Sequence, residues 1–259
     1  MAGQQKSGGL TARFLRLGPV LLLVLVPAVD SVNAGPASPA PGVGKVNVSA
    51  TVAVEPESKP APGVSKTNAS PASDIAVLLA RLEKGVADIN TLKTGFTEEK
   101  KLASFRNPAV LKGWICLMKP SLVAWHVLEP TKYTVVITDK VVRQWDEETG
   151  KVQELQINRI PVMRTVLEQM RVWFSGRYAS LTGDYEVKAV SERPVVLEFL
   201  PKESNFVAKV VKRISVGFRE DERYLKWIKI EETGGDTSTV TFDNTVLNPA
   251  LDRRDFTVH

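Results

Sequence analysis

The sequence predicts a mainly β domain: about eleven antiparallel strands in a meander that closes, or nearly closes, into a barrel, accompanied by two helices. Three observations carry this. Between residues 92 and 244 the chain passes through short β-rich runs, many of them apolar on alternate residues. The runs are separated by turn residues rather than by long connections, so neighbours in sequence pair as hairpins. Only two stretches keep the three-to-four spacing of an amphipathic helix.

The elements follow in order. Ser73 or Asp74 is a good N-cap, and Ile75, Leu78, Leu79, Leu82, Val86 and Ile89 then recur on one face, which predicts a helix over about 75–89. Strands are expected at 92–103, 110–119, 122–129, 133–138, 141–146 and 151–157, with Asp139-Lys140 and Glu148-Thr149-Gly150 as turns. A second helix starts at Pro161, a residue suited to a first turn, and carries Val162, Val166, Leu167, Met170, Trp173 and Phe174 on one side before Gly176 stops it. Strands resume at 184–190, 194–200, 208–218, 224–232 and 237–244, and Gly234-Gly235-Asp236 closes the last hairpin. In Trp114 to Met118 and in Val123 to Leu128 the alternation is blurred, as if one face lined a cavity and the other met a helix; a filled sandwich core is the alternative.

Upstream of this domain the composition changes. Arg13 and Arg16 precede an apolar run of 13 residues, Leu17 to Val29, too short for the ~20 residues that span a bilayer. With small Ala34 after it, the segment 1–34 reads as a secretory signal peptide, cleaved to release a soluble exported protein. Residues 35–73 hold seven prolines and no Leu, Ile, Met or aromatic residue, so they cannot bury a core, and they read as an extended linker before the domain at 74–259. The formal charge is +5, and the first 34 residues contain three basic residues and one acidic, which leaves +3 for the rest. That is too mild to argue for nucleic acid. One cysteine, Cys116, and two histidines argue against a disulfide framework and a metal centre.

Two stretches carry a resemblance. Leu92-Lys93-Thr94-Gly95-Phe96-Thr97-Glu98-Glu99-Lys100 resembles an L-x-x-x-F-x-Q-x-K opening strand, and Gly113-Trp114-Ile115-Cys116-Leu117-Met118-Lys119-Pro120-Ser121-Leu122-Val123-Ala124-Trp125 resembles G-x-L-W-x-x-R-P-x-L-F-x-W. Thr138-Asp139, Leu200-Pro201-Lys202, Thr239 to Asn244, Asn248-Pro249, Leu251-Asp252 and Phe256 add matches in the same order. Together they make the region from Asp74 to Phe256 similar to the bacterial periplasmic lipoprotein carriers, the LolA-like family. That resemblance implies an unclosed, strongly curved half-barrel with a helical lid over an apolar cavity. It also implies a periplasmic carrier that takes acylated lipoproteins or other lipid cargo from an inner-membrane exporter complex to an outer-membrane acceptor. Such a protein works as a monomer with no cofactor and no catalysis. The alternative within the same fold is a carrier of another lipid or glycolipid, or an acyl-sensing regulator of envelope stress.

The resemblance assigns candidate residues. The lid is the helix with Val162, Val166, Leu167, Met170, Trp173 and Phe174, core packing being the alternative. Cavity wall or ordinary core are the two readings of Trp125 and Trp145. If Lys119 points inward, Val123, Trp125 and Val127 share its face and His126 lies opposite, unless Pro120 resets the register. Lys119 stands where the family has an arginine that bonds lid backbone, and lysine lacks the planar fork, so gating by this position is an expectation with an exposed strand end as its alternative. No G-x-S-x-G is present and the cysteine has no usable histidine, while Glu98-Glu99, Glu147-Glu148 and Glu231-Glu232 read as turn or solvated-strand charges, so no enzyme is expected.

Overall fold

The computed structural model describes residues 71–157, 171–173 and 175–258. The signal and linker assignments, up to residue 70, and the lid residues Val162, Val166, Leu167, Met170 and Phe174 lie outside the described residues.

Helix α1 spans Pro71–Val86. It opens inside the stretch expected to be linker and ends short of residue 89. Eleven strands follow: β1 (Thr91–Lys101), β2 (Ala109–Met118), β3 (Leu122–Glu129), β4 (Tyr133–Ile137), β5 (Val141–Asp146), β6 (Lys151–Gln156), β7 (Tyr185–Glu192), β8 (Val195–Pro201), β9 (Val211–Phe218), β10 (Leu225–Glu232) and β11 (Thr237–Leu247). Each expected strand is present, with ends moved by a few residues. β9 starts at Val211 because Asn205 accepts a hydrogen bond from the Val207 amide at 3.0 Å and caps a 3-10 turn over Phe206–Lys209.

All eleven strands form one antiparallel sheet in the order β6-β5-β4-β3-β2-β1-β11-β10-β9-β8-β7. Two meanders, β1 to β6 and β7 to β11, are joined by the pairing of β1 with β11, where Phe96 stands opposite Phe242. The sheet does not close: β6 and β7 are its outer strands. It is a half-barrel, as the resemblance implies.

One face of the sheet holds the main core. Leu92, Phe96, Ile115, Trp125, Val135, Leu197, Phe199, Val216 and Val240 pack there beneath α1, whose Leu79 and Leu82 are fully buried. Burying side chains of this size contributes about 1.5–3 kcal/mol each. Gly113 is required at the centre, since a Cβ there would collide with the His126 carbonyl and press on the Phe96 ring.

The opposite face accounts for the blurred alternation. Cys116, Ala124 and Val136 are buried on it, with Trp114 and Leu122, by Leu251, Phe256 and Val258 of the C-terminal segment. A 3-10 turn of C-terminal chain, and not the α-helix expected, is what β2 and β3 meet there. A capping box between Asp252 and Asp255 fixes the 3-10 turn Arg253–Phe256. Asp255 reaches Lys93 at 3.1 Å, and its carbonyl lies 3.1 Å from His126 Nε2.

Candidate functional site

The alternation of β3 decides which residues line the inner, concave face. Val123, Trp125 and Val127 point inward and are buried; Ala124 and His126 point outward. Trp125 sits between Ile115 of β2 and Val135 of β4 in register, and its ring meets Phe96 edge-on at 5.0 Å. Val123 lies between Leu117 and Ile137, and Val127 between Gly113 and Tyr133. The three residues expected on one wall are therefore brought together.

Trp145 is not among them. On β5 the inward row is Val142 and Gln144, which pair with Ile137 and Val135. Trp145 pairs with Thr134 and stands half-buried on the outer face. A polar Gln144 occupies the inward place that a reading from hydrophobicity gives to the tryptophan. His126 is outward, stacked on Trp114 at 3.6 Å, with Nδ1 3.2 Å from Thr134 Oγ1.

Residues 171–173 and 175 are helical and bring Trp173 onto the concave face. Its ring lies 4.7 Å from Phe199 and 6.2 Å from Tyr185, both edge-on, and 6.4 Å from Tyr178. Tyr178 is wholly buried and crosses Phe218 at right angles. Trp173 thus belongs to an aromatic cluster over β7 to β9, away from Trp125.

Among the described residues the main cover of the face is α1. It is fastened at its C-terminal end: Lys119 Nζ donates to the Val86 carbonyl at 3.2 Å, and Arg223 Nε donates to the Gly85 carbonyl at 3.4 Å. Cations at the end of a helix meet carbonyls that have no partner inside it and complement the helix dipole. Arg223 also pairs with Asp88, whose carbonyl accepts from Asn248 Nδ2 at 3.1 Å. Burial holds the Lys119 ammonium below the usual lysine range, with Asp88 acting against that. Toward its other end α1 stands off the sheet, and a groove of about 620 Å³ lined by Ile75, Val77 and Arg81 separates it from Val187 and Ala189 of β7.

Beside Lys119, the side chains of Leu117, Val123 and Ile137, with Arg171 and Ser175, line a cavity of about 30 Å³. That volume takes one water molecule, not an acyl chain. Beside Lys119 the described concave face is filled by side chains.

Two features were missed in the sequence. Glu98, read as a solvated charge, is 1% exposed on the inward row of β1, where Leu92, Thr94 and Phe96 are also buried. Burial pushes its carboxyl up to about 7, against the pull of Lys100. The signal was available as strand parity, two residues beyond Phe96. The role of α1 as a cover was also missed, though its apolar face was read. Among the described residues no group of three or more His, Cys, Asp or Glu is placed to hold a metal ion.

Comparison with known proteins adds the following. The family model described as "Outer membrane lipoprotein carrier protein LolA" matches residues 87–259. Among solved structures, a LolA superfamily protein from Nitrosomonas europaea is similar at 10% identity and a TM-score of 0.38, covering 70% of this chain and 96% of that one. MucB in its complex with MucA from Pseudomonas aeruginosa is similar at 15% identity and 0.43, covering 71% and 60%. LprF from Mycobacterium bovis is similar at 9% and 0.38, covering 71% and 97%. A search of curated proteins returns no match. Among the described residues no helix is long and apolar enough to cross a membrane.

Proposed function

The chain belongs to the outer membrane lipoprotein carrier protein LolA family, and on that premise we propose that it binds the acyl chains of lipoproteins against its concave face and carries them through the periplasm. It takes them from an inner-membrane exporter complex, yields them to an outer-membrane acceptor, and acts as a monomer after removal of its signal peptide.

The observation that supports this most is the covered concave face, a largely apolar surface under a helix clamped at one end. Each buried CH₂ is worth ~0.8 kcal/mol, so one sixteen-carbon chain holds a lipoprotein in a membrane by roughly 12 kcal/mol. Several chains make unaided escape negligible. A surface that replaces lipid by an equivalent environment removes most of that cost, and transfer then needs only modest affinity differences at donor and acceptor.

The cavity beside Lys119 admits only water, so an acyl chain reaches the wall at Val123 by displacing what covers it there, whereas the groove between α1 and β7 is already open. The eleven-stranded sheet supplies a framework that stays folded during that displacement. Carriage of this kind requires no nucleophile, acid or base.

The test is to purify the full chain from periplasm and to identify by mass spectrometry what accompanies it, then to titrate the delipidated protein with a fluorescent fatty acid. Acylated lipoprotein in the first step and saturable binding in the second are the expected results. A folded protein that binds no acyl chain under any condition would overturn the reading.

A further inference from the structure

Three polar atoms on the concave face lack any partner: the Tyr178 hydroxyl over β7 to β9, and two that are neighbours on β1 and β11. Glu98 Oε1 on β1 and Ser238 Oγ on β11 are both buried and make no hydrogen bond. Each residue is 1% exposed. The strands that carry them are paired, Glu98 opposite Val240 and Lys100 opposite Ser238. Glu98 and Ser238 are therefore diagonal neighbours on one face, a relation that in antiparallel sheets leaves long side chains within reach of one another.

The protein's own groups do not serve them. Across β2 the partner of Glu98 is apolar Leu111, and across β11 it is apolar Val240. The adjacent cation, Lys100, is directed to Glu232 at 3.1 Å. A buried acid without a donor is costly to keep, and an apolar residue of similar volume would serve the core better. Two such atoms side by side, on the face that the carrier reading assigns to cargo, have the arrangement of an unfilled hydrogen-bonding site.

We propose that Glu98 and Ser238 form a polar pole within the apolar face that receives a hydroxyl group of the lipid cargo, so that the protein prefers acyl lipids bearing a hydroxyl over plain hydrocarbon chains. The hydroxyl donates to the Glu98 carboxylate and accepts from Ser238 Oγ. Apolar residues supply affinity along the chain, and the pole fixes how far the chain enters and which lipid it is. A site built around a hydrogen bond rejects the analogue that lacks it, because its own buried atoms are then left unpaired. The inference rests on the carrier reading and adds a cargo class to it.

Competition against a fluorescent fatty acid on the full chain tests it, with three probes of one length. Hexadecanoic acid has no hydroxyl, 16-hydroxyhexadecanoic acid has one on the end of the chain, and monohexadecanoylglycerol has them on the head. At least one hydroxylated probe should bind about tenfold more tightly than hexadecanoic acid, as expected for a hydrogen bond to a charged group. Which one does so tells whether the hydroxyl belongs to the chain or to the headgroup. In Glu98→Leu the preference should vanish while hexadecanoic acid still binds, and Ser238→Ala should lose part of it. Should Glu98→Leu not fold, Glu98→Gln, which keeps an acceptor and adds a donor, should reduce the preference instead. Equal binding of all three probes to the wild type, or a preference that survives in the Glu98 variant, overturns the inference and leaves the carrier reading standing. Absence of binding by every probe overturns both.

Discussion

Lys119 Nζ and the Val86 carbonyl lie 3.2 Å apart, so the turn after β2 is bonded to the last carbonyl of α1. This places the lysine between the sheet and its cover. The lysine makes this contact with a single ammonium, where an arginine would offer a planar fork of donors.

Removing that donor should loosen the cover without unfolding the sheet. In Lys119→Leu, amide hydrogen exchange in the C-terminal half of α1 should speed up about five- to thirtyfold, since a net hydrogen bond to a charged group is worth on the order of 1–2 kcal/mol when partly exposed. A weaker closed state also holds bound acyl chains longer, so release should slow while uptake is unchanged. Lys119→Arg should match the wild type in both. Identical exchange and release in all three proteins would return Lys119 to the role of a surface charge.

Stability should depend on pH through Glu98. Its carboxyl ionises at about 7 in the folded protein against an ordinary 4.5. The folded state therefore holds the proton more tightly, and the contribution is present in full below about 4.5, is lost as pH rises from there to about 7, and is flat above. The loss is about 3 kcal/mol at most. Asp88, Glu231, Asp252 and Asp255 are held below the usual carboxylate range and act with the opposite sign. The difference between wild type and Glu98→Gln in urea unfolding, followed from pH 4.5 to 8, isolates the Glu98 part; a difference that does not change across that range would contradict it.

The two tryptophans assigned to the wall should behave differently. Trp125→Ala empties a buried site between Ile115 and Val135 and should cost about 3–5 kcal/mol, with loss of fatty-acid binding in whatever remains folded. Trp145→Ala, on the outer face, should cost under about 1.5 kcal/mol and leave binding intact. Thermal melts and fluorescent fatty-acid titrations of both variants decide this.

Cys116 reports on the outer face. It is fully buried beneath the C-terminal segment, and burial pushes its thiol up to about 11. It should resist a thiol reagent at neutral pH in the folded protein. Truncation after Pro249 removes Leu251, Phe256 and Val258, and labelling should then accelerate about a hundredfold, with a lower melting midpoint. Unchanged labelling would mean that the segment is not what shields the thiol.

The strands were legible because turn residues punctuate them and alternation marks them, as Gly234-Gly235-Asp236 does for the last hairpin, where Gly235 takes φ +92°. The facing of individual residues was less so. Alternation tells inside from outside only when one face is wet, and β2 to β4 are covered on both. Val123, Trp125 and Val127 could still be grouped because they share one parity. Trp145 was misplaced because polar Gln144 occupies the inward row of β5. Glu98 was hidden for the converse reason: a carboxylate reads as solvated, and only its position two residues after Phe96 says otherwise. Nothing local to residues 251–258 announces that they pack on Cys116; that contact depends on the whole sheet.

The pairing of β1 with β11 has a consequence in time. Each meander is built from neighbours in sequence, which find one another quickly, but Gly95 must meet Asp243 across nearly the length of the domain. Contacts this distant are slow to form because the intervening loop has to be closed first. A chain synthesised from its N-terminus has all of β1 to β10 in place before β11 exists. Until then the middle of the sheet is an exposed pair of edges, and the apolar face it will carry is split in two. Synthesis thus delivers last the strand that makes a single surface out of two halves.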